Sequence, residues 1–162
     1  MKTTFSHLND KQAPTMVAVD AKPVTTRTAT AEARVDLPPA VCTQLDTQAP
    51  DGPSGPKGAI FQTAMLAGIM AAKQTGQLIP LCHVIPLEHC QVDLAFDGPQ
   101  SVRIRCTARA THKTGVEMEA LTGATLAALT VYDMCKALSH DITIRHVRLL
   151  EKTGGKSDVR HD

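Results

Sequence analysis

Four ionisable residues interrupt one otherwise apolar helical segment, and their spacing limits what they could do together. The segment covers residues 116–138, with Gly115 before it and Ser139-His140-Asp141 after it. At about 100° per residue, Asp133, Lys136 and Glu119 fall within one sector of roughly a third of the circumference, and Glu117 points almost opposite to Glu119. Asp133 and Lys136 are one turn apart. On a covered side, such a pair keeps the carboxylate ionised and an ammonium poised for proton transfer, because each favours the charged form of the other. On the surface it is an ion pair worth about 0.3 kcal/mol. Spacing leaves both readings open. At about 1.5 Å per residue, Glu119 and Asp133 are about 20 Å apart along a straight helix, too far to serve one small reacting centre. Either they grip opposite ends of a long ligand, or another subunit supplies part of each site.

Other candidates stand outside this segment. Lys57-Gly58 opens a second helix beside a Pro/Gly-rich loop, where an ammonium and free backbone N–H groups could bind phosphate together, or where the lysine is merely solvated. His83, between Cys82 and Val84 in an apolar run, is either a satisfied buried histidine or part of a pocket lining. Cys82-His83 and His89-Cys90 contain zinc-type ligands, but adjacent residues of an extended chain point to opposite faces, which argues against a shared ion. Gly155-Lys156-Ser157 lacks the glycine a P-loop needs five residues earlier, where Leu150 stands, and has too few residues after it for a helix. Two glycines flanked by Lys152 and Lys156 could still hold an anion, or form a solvated basic terminus.

Composition narrows the function classes. A chain of 162 residues forms one domain, and 43% hydrophobic residues with 2% aromatics means a core of Ala, Val, Leu, Ile and Met with few rings for base stacking. A net charge of +1 without a basic run gives no general reason to expect nucleic acid or a membrane surface as partner. Five cysteines with no C-x-x-C do not resemble a disulfide framework, and the first residues contain no apolar export segment. The expectation is a soluble, cytoplasmic protein with reduced thiols.

The elements that must position these residues follow from periodicity. Residues 1–15 are polar and are expected to be a flexible N-terminal segment, 16–157 a single catalytic domain, and 158–162 a tail. Thr and Val alternate with small residues between 16 and 37, as in one or two strands ended by Pro38-Pro39, and a short helix follows at 40–45. Residues 48–56 read as the most flexible internal loop, and 59–75 as a helix stopped by Gly76. Strands are expected at 91–96, 102–110 and 142–152, the first two antiparallel across Gly98-Pro99.

Together the segments resemble the MoaC family, the cyclic pyranopterin monophosphate synthases of molybdenum cofactor (molybdopterin) biosynthesis. The resemblance rests on Lys57-Gly58 with its Ala/Gly-rich helix, Leu78-Ile79-Pro80-Leu81-Cys82-His83, the runs 113–122 and 127–137, and 147–157, and it extends from Met16 to Ser157. It implies an α+β, ferredoxin-like antiparallel sheet with two long helices packed on it. It implies a lyase that converts 3′,8-cyclo-7,8-dihydroguanosine 5′-triphosphate to cyclic pyranopterin monophosphate with release of pyrophosphate. Asp133, Lys136 and Lys57 match catalytic positions; Leu81, Cys82, His83, Met118, Glu119, Glu117, Lys152 and Lys156 match substrate-binding ones. The resemblance further implies a homohexamer, a trimer of dimers with inter-subunit sites, and no redox cofactor or resident metal, with magnesium able to accompany the triphosphate. The chain departs from the family pattern at Ala59, where an acidic residue is usual, and at Val84, where proline is. The rivals are a noncatalytic small-molecule sensor on the same fold and a zinc-dependent cyclohydrolase.

Overall fold

The protein is described by a computed structural model covering residue 11 and residues 13–45, 47–49 and 52–161. The expectation for the first 15 residues falls largely outside these. In chain order the elements are β1 (Thr25–Asp36), α1 (Pro39–Cys42), β2 (Ser54–Gly55), β3 (Gly58–Ala59), α2 (Ile60–Lys73), α3 (Thr75–Leu78), β4 (His89–Phe96), β5 (Ser101–His112), α4 (Glu117–Cys135), β6 (Thr143–Thr153) and β7 (Val159–Arg160). The long elements run β-α-β-β-α-β. All pairings in the five-stranded sheet, ordered β4-β5-β1-β6-β7, are antiparallel. This is the ferredoxin-like α+β arrangement that the sequence implied.

Alternation in β1 and β5 assigns their faces. Ala29, Ala31, Ala33 and Val35 of β1 and Val102, Ile104, Cys106, Ala108 and Ala110 of β5 are buried beneath the helices. The opposite row carries Thr30, Glu32 and Arg34. Glu32, 2% exposed, is neutralised by Arg105 at 3.1 Å and Arg34 at 3.6 Å. Because the inward rows are mostly Ala and small residues, α4 approaches the sheet closely, and α2 approaches α4 in the same way. A Cβ at Gly123 would lie 2.5 Å from Cys106 Sγ, and one at Gly68 would lie 2.9 Å from the Gly123 carbonyl oxygen. The expected all-round apolar character of α4 is therefore only partly spent inside this chain. Ala124, Ala128 and Val131 are buried, whereas Leu129 is exposed.

Several local expectations change. α2 ends at Lys73, before Gly76, because Gln74 leaves helical geometry and a new turn, α3, contains Gly76. The loop around Lys57 is less irregular than its Pro/Gly content suggested. Apart from Pro50 and Asp51, which lie outside the described residues, it closes into the small β2–β3 hairpin, with Gly58 supplying the positive φ that its tight turn requires. The clean alternation expected for β6 is broken by register shifts opposite Thr30/Ala31 and Glu32/Arg34, which leave residues 145–148 exposed in succession. Beyond Ser157 the chain turns back as β7, with Glu151 opposite Arg160; Asp162 lies outside the described residues.

Gly123→Ala is expected to lower stability by about 1–3 kcal/mol, read as a reduced urea midpoint, because the methyl must displace Cys106 or the α2 backbone. Gly98→Ala, whose methyl meets nothing within 4 Å, should cost about 1 kcal/mol through its left-handed backbone alone. An unchanged midpoint for Gly123→Ala would mean that α4 does not press on β5 in this way.

Candidate active site

The two ends of α4 carry two different constellations. At its C-terminal end, the Asp133 carboxylate accepts from two ammonium groups: Lys136 Nζ at 2.7 Å on Oδ1 and Lys57 Nζ at 2.7 Å on Oδ2. Lys57 therefore does not sit at a vacant helix mouth. It occupies the tip of the β2–β3 hairpin, and the Ile60 N–H that opens α2 is already bonded to the Pro53 carbonyl at 2.8 Å. Hydrogen bonds from Lys136 and then Lys57 hold the Asp133 carboxyl down at about 2, and the Asp133 carboxylate in turn raises the Lys136 pKa. At neutral pH Lys136 is thus held in its charged ammonium form. All three side chains are 39–49% exposed, so the cluster contributes little to stability while presenting one net positive charge to solvent.

At the N-terminal end the environment reverses. Glu119 is 3% exposed, and burial pushes its carboxyl up to about 7, against a hydrogen bond from its own backbone N–H and with help from neighbouring Glu117. Around it lies a groove of about 440 Å3 whose lining includes Leu81, Cys82, His83, Glu117, Met118 and Glu119. Burial, followed by the Glu119 charge, raises the Cys82 pKa, so Cys82 is a neutral thiol rather than a nucleophile. His83 Nε2 lies 2.8 Å from the Val17 carbonyl oxygen, and because that oxygen only accepts, Nε2 carries the proton.

This groove shares Lys22, Thr114, Gly115 and Glu117 with a second of about 520 Å3 whose lining includes Arg27, Lys113, Lys152 and Lys156. Each wall has a local cause. A Cβ at Gly115 would fall 1.9 Å from Oε2 at the flexible end of Glu117, so a side chain there would displace the carboxylate that accepts from Lys152 Nζ at 2.9 Å. Gly154 turns at φ 79° and accepts from Thr25 Oγ1 at 2.7 Å, which fastens the Lys152–Lys156 turn to the start of β1. Arg27, 7% exposed, donates to the His112 carbonyl at 3.2 Å. The continuous groove is acid–base at one end and cationic at the other, a combination suited to a ligand with a polar ring system and a polyanionic tail.

The sequence-derived candidates therefore separate. Leu81, Cys82, His83, Glu117, Met118, Glu119, Lys152 and Lys156 line the joined grooves, while Lys57, Asp133 and Lys136 line neither. Sequence reasoning did not single out Lys22, Arg27 or Lys113. A signal for Arg27 was present: it is the one charged residue on the inward row that continues as Ala29, Ala31, Ala33 and Val35. Among the described residues, no three His, Cys, Asp or Glu side chains converge as metal ligands. Cys90 Sγ instead lies 4.0 Å from Cys106 Sγ on the neighbouring strand.

Comparison with known proteins gives concordant similarities. The MoaC family pattern matches residues 16–155. The chain is 53% identical over 155 residues to the cyclic pyranopterin monophosphate synthase of Xanthomonas oryzae pv. oryzae, covering 96% of this chain and 92% of that protein. It is 53% identical over 161 residues to the protein of the same name from Xanthomonas campestris pv. campestris, covering 98% and 96%. It is also 44% identical to part of molybdenum cofactor biosynthesis protein 1 of Dictyostelium discoideum, over 94% of this chain and 26% of that protein.

Because Glu119 binds its proton more tightly folded than unfolded, its stabilising contribution is complete below its ordinary value of 4.5 and is lost as pH rises to about 7. Between pH 4.5 and 7 wild-type stability should therefore fall relative to Glu119→Gln by on the order of 2 kcal/mol, measured by urea unfolding across that range. Parallel pH profiles for the two proteins would contradict the burial argument.

Proposed function

The chain belongs to the MoaC family, and we propose from that premise that it converts 3′,8-cyclo-7,8-dihydroguanosine 5′-triphosphate to cyclic pyranopterin monophosphate and pyrophosphate, in molybdenum cofactor biosynthesis. The observation that carries the reading is the continuous groove, with Lys113, Lys152 and Lys156 at one end and His83 and Glu119 at the other. Rebuilding a purine as a pterin requires repeated proton transfers. Closing a cyclic phosphate requires a hydroxyl oxygen to attack the α-phosphorus as the P–O bond to the departing pyrophosphate breaks. The cationic end offsets the charge of the triphosphate and of the leaving group. A half-protonated Glu119 can hold and exchange protons with the heterocycle, beside a wall that His83 fixes through its bond to the Val17 carbonyl.

The Lys57–Asp133–Lys136 cluster supplies a further charged proton donor, but about 20 Å of helix separates it from Glu119. On this reading a second copy brings its cluster to the groove of the first, within a homohexamer built as a trimer of dimers. The exposed Leu129 on α4 and the exposed Leu66 and Met70 on α2 support such contacts. The enzyme works in the cytoplasm without a resident cofactor, and magnesium can enter with the triphosphate.

Purified chain mixed with the cyclised dihydro-GTP should release pyrophosphate and form a product that fluoresces after oxidation. Lys136→Ala should lose at least about 100-fold in turnover. It should keep its melting temperature, since its partner pair is exposed. Substrate bound intact with no turnover by the wild type would make the protein a noncatalytic binder, and full turnover by Lys136→Ala would remove that residue from the chemistry.

A further inference from the structure

The groove is crossed by chain that belongs to no helix or strand of the sheet. Between Pro14 and β1, residues 16–23 run over it, with Val17, Val19 and Lys22 lining the Glu119 end and Lys22 and Pro23 the cationic end. Its internal backbone hydrogen bonding is sparse, the Lys22 N–H donating to the Val19 carbonyl at 3.0 Å. Among the described residues, two side chains of the groove fasten it to the body. His83 Nε2 donates to the Val17 carbonyl at 2.8 Å, and Lys113 Nζ donates to the Asp20 carbonyl at 2.7 Å. Both anchors are side chains that face the ligand space.

We propose that residues 16–23 are an occupancy-sensing strap, which a polyanion at the cationic end locks down by bridging Lys22 of the strap to Lys113 of the body. The geometry allows one nitrogen to serve both tasks. An ammonium has three donors, and Lys113 spends one on the Asp20 carbonyl, leaving two for phosphate oxygens. Lys22 lies two residues beyond that carbonyl and lines both grooves, so an anion meeting Lys113 also meets the strap's own charge. At the other end His83 ties the strap to the wall that faces Glu119. Filling the cationic end therefore converts a segment tied by the His83 and Lys113 bonds into one that is also cross-linked through the ligand. This shields the acid–base end from water before proton transfer begins.

The inference rests on the reading that the polyanionic part of the ligand binds at the Lys113 end. Inorganic triphosphate tests it without turnover, by titration calorimetry together with hydrogen exchange of strap amides followed by mass spectrometry. If the strap closes with the anion, triphosphate at about ten times its Kd should slow exchange of residues 16–23 by up to about tenfold. Lys22→Gln should still bind triphosphate through Arg27, Lys152 and Lys156 but should lose most of that slowing. Binding with unchanged strap exchange in the wild type would overturn the strap alone. Absence of triphosphate binding would overturn both the strap and the polarity assigned to the groove. Equal slowing in Lys22→Gln would overturn the bridging role of Lys22.

Discussion

Small side chains set the distance between α4 and the sheet, and most of the architecture depends on that distance. The Ala-rich rows of β1 and β5, with Gly123 against Cys106 and Gly68 against the Gly123 carbonyl, seat a 19-residue helix directly on the strands. Dispersion at such short range offsets the modest apolar area each alanine buries. A helix held this way cannot bend to bring its ends together. Glu119 at one end and Asp133 at the other are therefore fixed in two separate environments.

Those environments give the two carboxylates opposite chemistry. Hydrogen bonds from Lys136 and Lys57 keep Asp133 ionised far below neutrality, whereas burial keeps Glu119 near the point of half-protonation. The same residue class serves as a permanent anchor at one end and as an exchangeable proton holder at the other. Between them, Gly115 leaves room for the Glu117 carboxylate and Gly154 for the Thr26 carbonyl of β1. The cationic residues there come from β1, β6, the segment before β1 and the turn before α4, elements far apart in sequence that the sheet order makes neighbours.

Much of this was legible in the residues. Alternation located β1, β4 and β5, helical periodicity located α2 and α4, and the one-turn spacing of Asp133 and Lys136 corresponds to the observed ion pair. The substrate-contact candidates taken from the family resemblance, Leu81 to His83 and Glu117 to Glu119, do share one groove. What stayed hidden depends on contacts distant in sequence. Lys57 was read as a helix-mouth lysine because nothing local reveals that Asp133, 76 positions later, accepts from it. Lys22 and Lys113 were not singled out, since their place in the groove comes from the packing of residues 16–23 and of the turn before α4 against each other. The breaks in β6 and the return of β7 likewise follow from pairing with β1 and β6, which a period-2 pattern does not encode.

The working site proposed above joins the groove of one copy to the Lys57–Asp133–Lys136 cluster of another. Complementation tests it most directly: Lys136→Ala and Glu119→Gln chains, each inactive alone, are unfolded together, refolded as an equimolar mixture and assayed for pyrophosphate release. A site shared between two copies predicts recovery of about a quarter of the wild-type sites, because half of the random pairs are mixed and each mixed pair holds one intact site. A mixture no more active than either variant alone, in assemblies verified to contain both chains, would contradict it and require both constellations to act within a single chain.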